Sequence, residues 1–165
     1  MKTILTLLFC LAIGSLTFAQ KCAFTFEETD SKTGLQKKRI MTAITNQFIV
    51  WTIKDGENYR IGLEITMAEL QKNNIQKGDT LSFLLTNNET VNGIAEDKYL
   101  PIGKADEMTE SSNYFPFYSV SASEWLKLCA NNMQYIKVNL GKEYIGFEVN
   151  EGKAKKIKAA AVCVK

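Results

Sequence analysis

Residues 48–66, FIVWTIKDGENYRIGLEIT, carry the first architectural signal. From Phe48 to Ile53 the chain is apolar at both odd and even positions and rich in β-branched and aromatic residues, the signature of a central strand. Asp55-Gly56 is a hairpin turn signal. In the return strand Tyr59, Ile61, Leu63 and Ile65 alternate with Arg60, Gly62, Glu64 and Thr66. That period of two describes a strand with one buried and one solvated face.

The same alternation continues on both sides of this hairpin. Upstream, Cys22, Phe24 and Phe26 alternate with Ala23, Thr25 and Glu27, and residues 30–34 (DSKTG) read as a turn. Between Arg39 and Thr45, Ile40, Thr42 and Ile44 share one face, with Met41 and Ala43 on the other. Downstream, Met67 to Asn73 is expected to form one or two helical turns, and Lys77-Gly78-Asp79 a turn. Leu81, Phe83 and Leu85 begin another strand, Asn87-Asn88 turns the chain, and Val91 to Ala95 is weaker strand material. Residues 96–113 form the longest stretch without a period, and such loops tend to be functional or disordered. Tyr114 to Val120 returns to strand.

Two helices follow late in the chain. Ser121-Ala122-Ser123-Glu124 has the form of a capping box before a short helix from Ala122 to Ala130, which Asn131-Asn132 ends. Tyr135 to Leu140 and Glu143 to Val149 read as a hairpin around Gly141. After Asn150-Glu151-Gly152, Ile157, Ala160, Ala161 and Val164 fall on one face of a terminal helix. The expected fold is mainly β within the α+β class, an antiparallel β-sandwich or open barrel of about eight or nine strands. One short internal helix and a C-terminal helix complete it. Helices are not interleaved between strands, which argues against a parallel doubly wound sheet.

Composition narrows the function classes. The chain has 165 residues, of which 45% are hydrophobic and 23% charged, so one globular domain is expected. A net charge of +2 without basic blocks gives no nucleic-acid signature. The absence of histidine removes the commonest general base and the commonest transition-metal ligand together. Residues 1–19 read as a secretory signal peptide: Lys2 is the positive flank, Ile4 to Ile13 the apolar run, and Thr17-Phe18-Ala19 the cleavage site. The apolar run is short of the ~20 residues of a spanning helix, and no later segment approaches that length. Cleavage after Ala19 leaves a domain of residues 20–165, exported to the periplasm or secreted, with no transmembrane segment.

That domain keeps Cys22, Cys129 and Cys163. Trp125, Leu128 and Cys129 share a helix face, which makes Cys129 a buried apolar residue and points to Cys22–Cys163 as the disulfide. Three cysteines allow three pairings, and all remain open at this stage.

The most suggestive site is residues 113–118, NYFPFY, with Trp125 close behind. Alternation sends Tyr114 and Tyr118 to one face and Phe115 and Phe117 to the other. The functional reading is an aromatic platform for a glycan or peptide, with Tyr114, Phe117 and Tyr118 at the contact surface. The competing reading is a strand buried on both sides. Pro116 favours an edge strand because it lacks a ladder donor. Lys153, Lys155, Lys156 and Lys158 read as the solvated face of the last helix, with Lys158 and Lys165 suited to its negative C-terminal end. Two acidic clusters, Asp106, Glu107 and Glu110, and Glu27, Glu28 and Asp30, are expected on the surface and fit no calcium loop. No nucleophile motif, phosphate loop, metal set or cofactor fingerprint is present. Asn88-Glu89-Thr90 matches an N-glycosylation acceptor.

The leader ending Phe18-Ala19-Gln20 resembles those of small exported proteins of Bacteroidota-type bacteria. The run Ile75-Gln76-Lys77-Gly78-Asp79-Thr80-Leu81 before a strand, and Tyr118-Ser119-Val120-Ser121 before a helix, are similar to small β-rich domains of unknown function from those bacteria. Asp79-Thr80-Leu81 is also similar to the O-glycosylation signal used there. The resemblance implies location and fold only. The expected function is an exported, non-catalytic binding domain that contacts a protein or an envelope glycan. A carboxylate-dependent glycan hydrolase and a structural envelope component are the alternatives.

Overall fold

The hairpin at residues 48–66 lies inside an antiparallel sheet. The structure, a computed structural model, describes residues 22–69, 71–105 and 110–165; the stretch expected to be a signal peptide, Asp106 and Glu107 lie outside them. Strands β1 (Phe26–Thr29), β2 (Gln36–Ala43), β3 (Phe48–Asp55) and β4 (Asn58–Ala68) form a meander. Then come β5 (Thr80–Leu85), β6 (Thr90–Ala95), β7 (Ile102–Ala105), β8 (Glu110–Tyr114) and β9 (Phe117–Val120). Helix α1 (Ala122–Ala130), strands β10 (Met133–Leu140) and β11 (Glu143–Glu148), and helix α2 (Glu151–Val164) complete the order. The main path across the sheet is β1-β2-β3-β4-β9-β6-β5-β10-β11, and it curls into a half-barrel. The architecture is therefore the open, barrel-like form of the expected β-rich fold.

Local chemistry explains the tight turns. β3 pairs with β4 from Phe48↔Ile65 to Asp55↔Asn58, leaving Gly56 and Glu57 as a two-residue loop. Gly56 has φ +61°, the sign that the first central position of a II′ hairpin turn requires. Gly141 plays the same part between β10 and β11, with φ +63°.

The concave side of the sheet holds the core. Phe48, Val50, Ile61, Leu63 and Ile65 from the central hairpin join Leu81, Phe83, Leu85, Ile136 and Val138 in one cluster. Both helices close over it. α1 contributes Trp125 and Leu128, and α2 contributes Ala154, Ile157, Ala161 and Val164. The indole Nε1 of Trp125 donates to the carbonyl of Ala161 at 3.1 Å, and its ring stacks on Tyr59 with centroids 4.9 Å apart. A Cys22–Cys163 disulfide ties the start of the described chain to the last turn of α2. Cys129 is partly buried with a free thiol, whose pKa burial pushes up.

Several local expectations are corrected. Met67 and Ala68 continue β4 instead of opening a helix, because Ser112 and Ser111 of β8 pair with them. The stretch expected to be a long loop contains the β7–β8 hairpin, paired from Ile102↔Asn113 to Ala105↔Glu110. Pro116 is not on an edge. β8 and β9 keep one register against β4 on either side of it, while the opposite partner changes from β7 to β6. Proline's missing N–H therefore falls where the ladder changes hands, and its carbonyl still accepts from Leu63 N–H at 2.9 Å. β1 starts only at Phe26, which is largely solvent-exposed.

The caps also differ from their sequence reading. Ser121 Oγ accepts from Glu124 N–H at 3.2 Å, but the Glu124 carboxylate reaches the Asn92 N–H of β6 and the Lys127 ammonium instead of closing the box. Lys158 donates to the carbonyl of Ala130 at the end of α1, at 2.7 Å. The C-terminal Lys165 carbonyl is served by Lys54 of β3, also at 2.7 Å.

Candidate functional site

The helices pack on the concave face, and the convex face of the central strands carries aromatic and aliphatic side chains with no element over them among the described residues. Cross-strand register places Met41 of β2, Trp51 of β3, Gly62 of β4 and Phe117 of β9 in one transverse row. On one side lies the row Arg39–Ile53–Arg60–Ser119–Ile94. On the other, Ala43, Ile49 and Glu64 run toward Phe115. Adjacent rows on one face are about 7 Å apart, and neighbouring strands about 4.8 Å. Met41 is 45% exposed, Phe115 46% and Ile102, opposite Asn113, 55%.

Within this surface lies a shallow trough of about 220 Å³ lined by Arg39, Trp51, Ile53, Gly62, Glu64 and the rings of Phe115 and Phe117. Gly62 leaves room for it. A Cβ there would stand 3.0 Å from Phe117 Cε1 and 3.3 Å from Trp51 Cβ, so a larger residue would crowd the Phe117 ring that lies across β4. Trp51 Nε1 donates to Glu64 Oε1 at 2.7 Å, which fixes the indole and leaves the second carboxylate oxygen free of that bond. Arg60 lies 5.0 Å from the Phe117 ring centroid and backs it with a cation–π contact.

Beyond that ring is a more polar cleft of about 440 Å³ that includes Asp55, Glu57, Arg60 and Glu96. Arg60 Nε donates to Glu96 Oε1 at 2.8 Å, its Nη2 to Glu96 Oε2, and its Nη1 lies 3.9 Å from Asp55. The bonds to Glu96 raise the guanidinium's pKa further above its ordinary value. A glycosidase acid needs a carboxyl kept protonated by apolar surroundings or a neighbouring charge of like sign. Here both carboxylates face the Arg60 guanidinium instead.

The expected contact residues separate between the two faces. Tyr114 and Tyr118 are 0% exposed and point into the core. The Tyr114 hydroxyl donates to the carbonyl of Asn73 at 2.7 Å; the Tyr118 hydroxyl is buried without a hydrogen-bond partner among the described residues, and burial raises its pKa. Phe117 belongs to the trough. Of the acidic clusters, Glu110 is exposed at the start of β8, Glu27 pairs with Lys38 at 3.9 Å, and Asp30 shapes its own turn by accepting from Lys32 and Thr33 N–H. No group of acidic or cysteine side chains among the described residues is arranged to hold a metal. No helix among them is long and apolar enough to cross a membrane.

Trp51, Gly62 and Glu64 escape a reading by strand periodicity alone, since Trp51 lies in a run apolar on both faces while Gly62 and Glu64 look like ordinary outward positions. The signal that finds them is a glycine inside an otherwise strong strand, which marks close approach by a neighbour. No protein-family model, curated protein or solved structure matches the chain.

Proposed function

We propose that the protein is an exported, non-catalytic binding domain whose docking surface is the convex sheet face around Trp51, Phe115 and Phe117, with a protein or glycan of the cell envelope as its partner. The observation that carries this reading is the aromatic trough over Gly62 on a face that no described element covers. A contiguous apolar surface rimmed by charge is the usual mark of a docking site. The N-terminal apolar run and its small-residue cleavage pattern support export.

The test is capture from envelope extracts by the full-length gene product, expressed with its own leader and recovered after processing. A dominant partner retained by the wild-type protein and lost with Trp51→Ala and Phe115→Ala, both still folded by circular dichroism, supports the reading. Retention by both variants overturns the assignment to this face. The intact mass of the recovered protein tests export: a start at Gln20 is expected, and an uncleaved Met1 overturns it.

A further inference from the structure

Resting on the docking face proposed above, we infer that the occupant of the trough is a neutral polysaccharide, with one sugar ring seated on the aromatic floor between Arg39 and Glu64. A pyranose ring offers an apolar C–H face and a rim of hydroxyls, each able both to donate and to accept. The trough has matching parts. Trp51, Phe115 and Phe117 supply aromatic surface, and the rows beside them hold a pure donor, Arg39, and a pure acceptor, Glu64.

Charge selects a neutral ring. Arg60 is already saturated by Glu96 and Asp55, whereas Arg39 belongs to no ion pair among the described residues and only overlies the Phe26 ring at 5.2 Å. Glu64 has one oxygen committed to the Trp51 indole. The two open groups, one cation and one anion, therefore cancel across the trough. An acidic sugar would lose at Glu64 what its carboxylate gained at Arg39, and an apolar peptide side chain would desolvate both charged groups without new partners.

Size and extent agree with this occupant. About 220 Å³ lies below the ~300–1,000 Å³ of pockets that enclose drug-sized ligands, and it suits a single ring. The apolar stripe continues to Met41 on β2 and Ile102 on β7, spanning roughly 19 Å, so neighbouring units of an extended chain have surface to follow.

The experiment is affinity electrophoresis of the full-length gene product, processed as expressed, in native gels containing hydroxyethylcellulose, galactomannan or dextran, with polygalacturonate as the anionic probe. Retardation by at least one neutral polymer is expected. Trp51→Ala should weaken it about tenfold or more, and Glu64→Gln, which keeps an oxygen for the indole but loses the charge, several-fold. Trp51→Phe restores aromatic surface without the Nε1 donor and should fall between wild type and Trp51→Ala. Absence of retardation in every neutral polymer overturns the inference. So does retardation by polygalacturonate alone, or capture of a polypeptide alone; if either is lost with Trp51→Ala, the docking face still stands. Retardation by a neutral polymer that survives both Trp51→Ala and Phe115→Ala overturns inference and docking face together.

Discussion

The concave and convex faces of this sheet are both built with aromatics, yet they meet different fates. Phe48, Phe83, Tyr114 and Tyr118 point inward and are closed from solvent in the core that the curled sheet and the helices share, with Phe48 stacked on Phe147 of β11 and the Tyr114 hydroxyl bonded to the Asn73 carbonyl. Trp51, Phe115 and Phe117 point outward from the same or adjoining strands, beside Ile53, Gly62 and the charged Arg39, Arg60 and Glu64. Identical residue types thus do different work, and the cover over each face makes the difference. On the enclosed side aromatic area becomes folding free energy; on the convex side, where no described element covers it, the same area stays in contact with solvent.

The largest effect that separates the faces is expected at Trp125. Trp125→Ala removes the centre of the α1 contact with the sheet, the bond to Ala161 and the stack on Tyr59, and should cost about 3–5 kcal/mol by urea denaturation. Phe115→Ala on the convex face should stay within ~0.5 kcal/mol. Comparable losses for the two would erase the distinction between cover and open surface.

Next comes the staple that holds α2 in place. Replacing Cys22 and Cys163 together by Ser reopens a loop with a sequence separation of 141, and should cost about 2–5 kcal/mol. Thermal melts in the presence and absence of reductant check this: the wild-type melt should fall with reductant to that of the double variant, and the variant itself should not respond. A reductant-insensitive wild type would mean that the cover needs no covalent tie.

A smaller and opposite effect is expected at Tyr118. Its hydroxyl is buried without a partner, so Tyr118→Phe should be neutral or stabilise by up to about 1 kcal/mol. Destabilisation beyond that in the same denaturation assay would show that the hydroxyl is satisfied in solution. The smallest effect lies at the β1–β2 turn. Backbone N–H groups of Thr33 and Lys32 hold the Asp30 carboxyl below its ordinary value of 3.8. A depressed carboxyl pKa adds stability that is present above the unfolded value and lost as pH falls through the folded one. The amide resonances of Lys32 and Thr33 should therefore titrate together with a midpoint below 3.8; a midpoint above it would contradict the turn geometry.

Much of the fold was legible where the physics is local. Asp55-Gly56 and Gly141 announce tight turns because few other residues adopt their φ, and both hairpins form there. The apolar face of α2 reads directly from Ile157, Ala160, Ala161 and Val164, all buried. Assigning Cys129 to a helix face left Cys22 and Cys163 to pair, as they do. Legibility ended where a strand depends on its partner. Ser111 and Ser112 have no strand pattern of their own and become β8 because β4 and β7 supply ladders on either side. Pro116 looked like an edge residue because a missing donor is usually tolerated only there, and a change of partner strand provides the other solution.

The candidate site shows the same divide more sharply. Alternation through residues 113–118 correctly separated Tyr114 and Tyr118 from Phe115 and Phe117, but alternation has no sign: it divides a strand into two faces without saying which is covered. The sequence by itself determined the strands that carry their own alternation, the tight turns, the helix faces and the pairing of aromatics by side. Only the tertiary structure decided that the tyrosines belong to the core and the phenylalanines to the surface, since the segments that enclose one face lie elsewhere in the chain. It alone also set Trp51 and Phe117 on opposite sides of Gly62, because register between strands distant in sequence is a property of the assembled sheet.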